Sequence, residues 1–131
     1  MTHTAFLPCE TVSITNRREH WARRAERARS HRQGAMWTIK AASMTAGGFG
    51  PPPYEVTLTR VGPRPLDDDN LRGALKSVRD GIADAFGMDD RDPRVTWLYG
   101  QRKAPSRFSG VEIAIRAEAD AKRRPGPSSR D

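Results

Sequence analysis

Apolar residues recur along this chain with two periods, and each period marks a different kind of element. Leu71, Ala74, Leu75, Val78, Ile82, Ala85 and Phe86 fall on one face at about 100° per residue, which predicts an amphipathic helix from Asn70 to Phe86. Asp68 or Asp69 is expected to cap it, and Gly87 to end it by taking positive φ. Trp21, Ala25, Ala28, Ala35 and Ile39 also recur at helical spacing, interrupted by Arg32, so a first, longer helix is predicted from Arg17 to about Ala42 with Asn16 as its cap. Strict alternation marks the strands. Thr11 to Thr15 reads as a half-buried strand, with residues 1–10 before it a loop or extended arm. Tyr54 to Thr59 alternates cleanly, but Val61 is out of phase, so that strand should end or bulge near Arg60. Arg94 to Lys103 puts Val95, Trp97 and Tyr99 on one face, and Gly110 to Glu118 turns Val111, Ile113, Ile115 and Ala117 inward. Gly and Pro clusters at 47–53 and 62–65 separate the segments, and Ala104 to Ser109 turns the chain between the last two strands.

The order is β-α-β-α-β-β, an α+β class with a mixed sheet and the helices packed on one face. The strand–helix–strand run through the second helix can form a parallel crossover unit. At 131 residues the chain has room for one core, so a single domain is expected over residues 1–118. Residues 119–131 read as a basic, disordered tail.

Charge changes the picture. Twenty-three Lys and Arg against sixteen Asp and Glu give +7, which favours polyanionic partners, most commonly nucleic acid. The charge is uneven. Residues 67–92 hold eight Asp and four bases, a net −4, while the remainder carries +11. Seven arginines lie between positions 17 and 32, opposed only by Glu19 and Glu26, which points to a phosphate-facing surface on the first helix. One cysteine excludes an internal disulfide and a Cys-cluster zinc site. No secretion signal and no apolar run of membrane-spanning length is visible, so no membrane association and a cytoplasmic location are expected.

Asp67-Asp68-Asp69-Asn70 opens the second helix, and Asp89-Asp90-Arg91-Asp92 follows about twenty residues later. Phosphodiester hydrolysis needs an activated water and relief of the charge gathering on the phosphate. Mg²⁺ supplies both and takes hard oxygen ligands, so the chemistry asks for carboxylates converging from separate segments. Asp67 and Asp69 point the same way in extended backbone. For Asp89 or Asp90 to meet them, the chain must come back along the helix, about 25 Å. Lys76 shares a stripe with Asp69, Arg72 and Asp80, where it can neutralise transition-state charge or simply pair with Asp80. The cluster reads equally as a capping turn, although three adjacent carboxylates repel one another without a compensating cation. An EF-hand is excluded because the Gly and Glu positions fail, and no Walker sequence is present. His20 and His31, set among arginines, read as phosphate contacts or surface residues, and Trp97 and Tyr99 as core aromatics.

Asp67-Asp68-Asp69-Asn70-Leu71, Ala74-Leu75-Lys76, Val78, Asp80-Gly81, Ala83-Asp84-Ala85, Gly87 and Asp89-Asp90 together resemble the RusA-type Holliday junction resolvases. The resemblance extends over residues 12–116 and is specific over 67–95. It implies a homodimeric, Mg²⁺-dependent endonuclease, with Mn²⁺ as an alternative ion, that nicks opposing strands of four-way DNA junctions. The essential carboxylates would fall on Asp67, Asp69 and Asp90, with Asp89 the alternative partner, and the functional lysine on Lys76. One departure is that the lysine follows Asp69 by seven residues and lies closer in some members, so Arg72 could share its role. Asn16, Arg17, Arg18, Arg23, Arg24 and Arg27, with Arg72, Arg102 and Lys103, are expected to grip DNA. The alternatives are a non-catalytic branched-DNA-binding protein with the same fold, and a nuclease for flaps or forks.

Overall fold

The computed structural model describes residues 2–11 and 21–118. Four strands and two long helices follow one another as β1 (Thr2–Pro8), α1 (Trp21–Ala46), β2 (Tyr54–Gly62), α2 (Asp68–Phe86), β3 (Val95–Lys103) and β4 (Gly110–Ala117), with a 3₁₀ turn at Ser106–Phe108. The strands form one mixed sheet in the order β1-β4-β2-β3. β2 and β3 are parallel from Tyr54↔Val95 to Gly62↔Lys103, and α2 is the crossover between them. β4 runs antiparallel to both β1 and β2. This is the α+β, single-sheet architecture that the periodicity predicts.

Alternation decides which sheet face is covered. Leu7, Val56, Leu58, Val95, Val111, Ile113 and Ile115 turn to the side where both helices lie, and pack with Ile39 of α1 and Leu71, Leu75, Val78 and Ile82 of α2. The α2 stripe is the predicted one. The α1 stripe is only half right: His31, Ala35 and Ile39 are buried, whereas no residue from 21 to 30 is, and Trp21 is 73% exposed. α1 also runs to Ala46, one turn beyond the expected end. His31 is buried and not a surface residue. Burial, then the charge of Arg27, lowers its pKa, opposed by a backbone hydrogen bond at Glu10.

Two strand expectations are corrected. The first strand is Thr2–Pro8, inside the stretch read as a loop or arm, and Thr11 lies in no strand. His3 and Ala5 give β1 only a weak apolar signal, and its hydrogen bonds to β4 secure it along one edge. Val12 to Thr15, the Asn16 cap, Arg17, Arg18, His20 and the 119–131 tail fall outside the described residues. β2 neither ends nor bulges at Arg60. It keeps its parallel register through Gly62, because Arg60 itself is buried on the inward face and hydrogen-bonded there.

The helices meet at Gly81, where a Cβ would lie 2.1 Å from the Arg32 carbonyl oxygen and 2.8 Å from the Ala35 Cβ. Arg32, the residue that interrupts the apolar stripe of α1, crosses to α2 with Nε 2.7 Å from Asp84 Oδ2 and Nη2 3.0 Å from Asp84 Oδ1.

Gly81→Ala should force the helices apart and cost at least about 2 kcal/mol, read as a fall in urea midpoint at constant m-value. The Arg32 hydrogen bond, with its charge, holds the Asp84 carboxyl below the usual carboxylate range. A depressed native pKa stabilises the fold above the ordinary carboxylate value, and that contribution is lost as pH falls through the lowered one. Asp84→Asn should therefore cost under about 1 kcal/mol at neutral pH, since both side chains are partly wet, and the gap to wild type should close in acid.

Candidate nucleic-acid interface

The acidic turn at the start of α2 is built first as a cap. Asp67, not Asp68 or Asp69, is the N-cap: its φ/ψ are −71°/170° and its Oδ1 accepts from the Asn70 N–H at 2.9 Å. The helix begins two residues earlier than the apolar pattern suggests, which moves the cap back to Asp67. Asp68 and Asp69 occupy the exposed first turn, where negative charge favours the helix dipole. Neither makes an ion pair or a side-chain hydrogen bond among the described residues. The approach to the cap is braced from β3: Gln101 Oε1 accepts from Leu66 N–H at 2.9 Å and its Nε2 donates to Leu66 O at 2.6 Å.

Gly87 closes α2 with φ 71°, and its N–H reaches back to the Ala83 and Asp84 carbonyls. The following loop turns on its own carboxylates. Asp89 Oδ1 accepts from Arg91 N–H at 2.8 Å, so it shapes the turn. Asp92 accepts from the Arg94 guanidinium and then its N–H, which hold its carboxyl down to about 2. Asp90 is brought back onto the flank of α2. Its carboxylate lies 3.7 Å from Lys76 Nζ and 3.5 Å from Arg79 Nε. Lys76 also pairs with Asp80 at 3.1 Å.

The sequence pattern gave Arg79 no role, yet it organises this loop. Its Nη2 donates to the Asp90 carbonyl at 2.8 Å, its Nη1 donates to the Tyr99 hydroxyl at 2.9 Å, and its guanidinium lies 4.9 Å from the Trp97 ring centroid. Trp97 Nε1 donates to the same Asp90 carbonyl at 3.0 Å. Trp97 and Tyr99 are thus core aromatics on their inner side and polar partners at their tips. A signal was present in the i, i+4, i+7 spacing of Arg72, Lys76 and Arg79. These three, with Gly73, Asp90, Arg91 and Tyr99, line a cleft of about 330 Å³. Four cations against one carboxylate make it a surface suited to phosphate. Arg72 lies 5.5 Å from the Tyr99 ring centroid, where an aromatic face holds a guanidinium without neutralising it.

The carboxylate set expected for Mg²⁺ does not close. Asp90 reaches Lys76, and Lys76 is about 10 Å of helix rise away from Asp69. Among the described residues no three His, Cys, Asp or Glu side chains are placed to hold an ion together. With Asp67 capping the helix and Asp90 paired with two cations, this donor arrangement does not fit a shared divalent ion. Of the expected DNA contacts, Arg23 and Arg24 are exposed on α1, Arg27 stands beside His31, and Lys103 ends β3. Arg102 points to the opposite sheet face, where its Nη2 is 3.3 Å from Glu112 Oε2. No described helix is long and apolar enough to cross a membrane.

No family model matches the sequence. An uncharacterised protein of Xylella fastidiosa (strain Temecula1) is 38% identical over 98 residues, which is 65% of this chain and 58% of that protein. The chain therefore matches less than two thirds of that relative's length.

Arg79→Met keeps the stem but removes the arginine's own hydrogen bonds to the Asp90 carbonyl and the Tyr99 hydroxyl. It should cost about 1–3 kcal/mol and speed amide exchange at Asp92 and Val95, whose N–H groups close this turn. Unchanged exchange there would show that Trp97 alone secures the loop.

Proposed function

We propose that this protein is an endonuclease acting on branched DNA, with the four-way junction as its foremost substrate. The observation that carries the reading is the Asp67-Asp68-Asp69-Asn70 turn at the head of α2, with Asp90 folded back beside Lys76 on the same helix. The cleft of Arg72, Lys76, Arg79 and Arg91 supplies the positive field that a DNA backbone needs, and the exposed Arg23 and Arg24 of α1 add positive charge to the surface. Lys76, 64% exposed, is free to turn from Asp80 towards a phosphate and to offset charge that develops on it. Mg²⁺, or Mn²⁺ in its place, is the cofactor the RusA-type motif implies. Among the described residues Asp67, Asp69 and Asp90 do not form one coordination site. Symmetric cutting of a junction asks for two copies related by a two-fold axis, so a homodimer belongs to the same proposal, as does a cytoplasmic location.

One observation favours a second reading. The commitment of Asp67 to the cap and of Asp90 to Lys76 and Arg79 suits a protein that binds branched DNA without cutting it. Incubation of the protein with labelled four-way junctions, flaps and forks, with and without Mg²⁺, separates the two. The nuclease reading expects metal-dependent paired nicks, strongest on the junction. Asp69→Asn, at an exposed position without a structural bond, should then lower cutting by at least about 100-fold and leave junction binding intact. Binding that weakens steeply with salt and no cutting under any ion condition would establish the second reading instead.

A further inference from the structure

Arg60 occupies an inward-facing position of β2 in register with Val111 and Gln101, and only 7% of its surface is exposed. Its neighbours satisfy part of the guanidinium. Nε donates to Thr11 Oγ1 at 2.8 Å and Nη1 donates to the Arg64 carbonyl. Both acceptors are neutral. Nη2 donates to nothing among the described residues, and it lies over Gly62, where a Cβ would come within 3.2 Å of it. Buried charges in proteins are paired, because an isolated guanidinium forfeits hydration that no neutral acceptor repays. Arg60 makes no ion pair among the described residues. Glu10 lines the neighbouring hollow with Cys9, Thr11, Pro63, Ser106 and Ser109. Burial pushes the Cys9 thiol up to about 11, so that group brings no negative charge at neutral pH.

On its other side Arg60 borders a cleft of about 130 Å³ shared with Gly62, Arg64, Pro65, Gln101, Arg102 and Lys103. Among the described residues no carboxylate lines it, and of its rim cations Arg102 has an acidic partner, Glu112. The cleft sits where the parallel strands β2 and β3 end side by side, at Gly62 and Lys103, the edge of a crossover unit at which ligands are held. Gln101 belongs both to its wall and to the brace on Leu66 that leads into Asp67.

We propose that this cleft is a phosphate-binding site, with the buried Arg60 at its base and Arg64 and Lys103 at its rim, and that it takes a backbone phosphodiester of nucleic acid. Arg60 has no counter-ion among the described residues, and the ligand supplies one. The proposal adds a second anchoring point, at the carboxyl end of the sheet, to the cleft along α2. It rests on the proposed nucleic-acid function only for the source of the phosphate. The phosphate chemistry stands on Arg60 with the rim cations Arg64 and Lys103.

The test uses the whole chain without Mg²⁺, so it is independent of any cutting. Thermal unfolding is followed in inorganic phosphate against chloride at matched ionic strength and pH. Wild type should gain about 3–5 °C at tenfold saturation. Arg60→Met, which fills the same space without charge, should lose most of that gain and keep only the part owed to the cleft along α2, and Arg64→Ala with Lys103→Ala should lose at least half of the gain. Should Arg60→Met fail to fold, the exposed rim pair decides: a gain equal to wild type overturns the site. Equal responses of wild type to phosphate and chloride overturn it as well. For the source, the Arg60 Nε–H resonance is followed with a short single-stranded oligonucleotide lacking terminal phosphates, and with a nucleoside monophosphate. A shift with the oligonucleotide that inorganic phosphate competes away supports the backbone assignment. A shift with the monophosphate alone overturns it.

Discussion

The parallel pairing of β2 with β3 is the constraint on which the rest of the structure depends. Two parallel neighbours cannot be joined by a turn, so the chain leaving β2 must travel back along the sheet before β3 begins. α2 is that return path, and its length places the acidic turn of Asp67–Asp69 at one end of the sheet and the Asp89–Asp92 loop at the other. The two clusters are near in sequence chemistry and separated by topology. Asp90 recovers part of the distance because Arg79 and Trp97 pull its carbonyl onto the helix flank, but it stops at Lys76.

The same constraint explains how charge is distributed. Most of the acids between Asp67 and Asp92 have a structural occupation: a cap at Asp67, turns at Asp89 and Asp92, and ion pairs at Asp80, Asp84 and Asp90. An acidic window inside a basic chain is therefore largely consumed in shaping α2 and its exit. What stays open to a partner is positive: the cleft along α2 and the one at the ends of β2 and β3. Asp68 and Asp69 remain as carboxylates without an ion pair or side-chain hydrogen bond among the described residues.

Burial of a charge at Arg60 stands apart from the surface arginines. The long stems of Lys and Arg let most of them keep their heads in water while covering apolar surface. Arg60 is drawn inside instead, held by Thr11 and the Arg64 carbonyl, and this is why β2 continues where the alternation of its residues breaks. Val61, out of phase, read as the end of the strand because alternation rules assume one apolar face; it is buried on the opposite face instead, beside the inward Arg60.

The amphipathic period of α2, the alternation of β2, β3 and β4, and Gly87 as a terminator were legible in the residues alone, because each reports a local periodicity or a local backbone need. The α+β class and the parallel crossover followed from the order of those elements. β1 was not legible, since a strand of weak apolar signal is secured by its hydrogen-bonded neighbour and not by its own residues. The buried face of α1 was half legible, because which turns of a long helix are covered depends on where α2 and the sheet stop. The meeting of Asp67, Asp69 and Asp90 was beyond sequence altogether. Residue types and spacing can propose a constellation, but through-space distance is set by strand direction and helix length, and here those hold the three carboxylates apart.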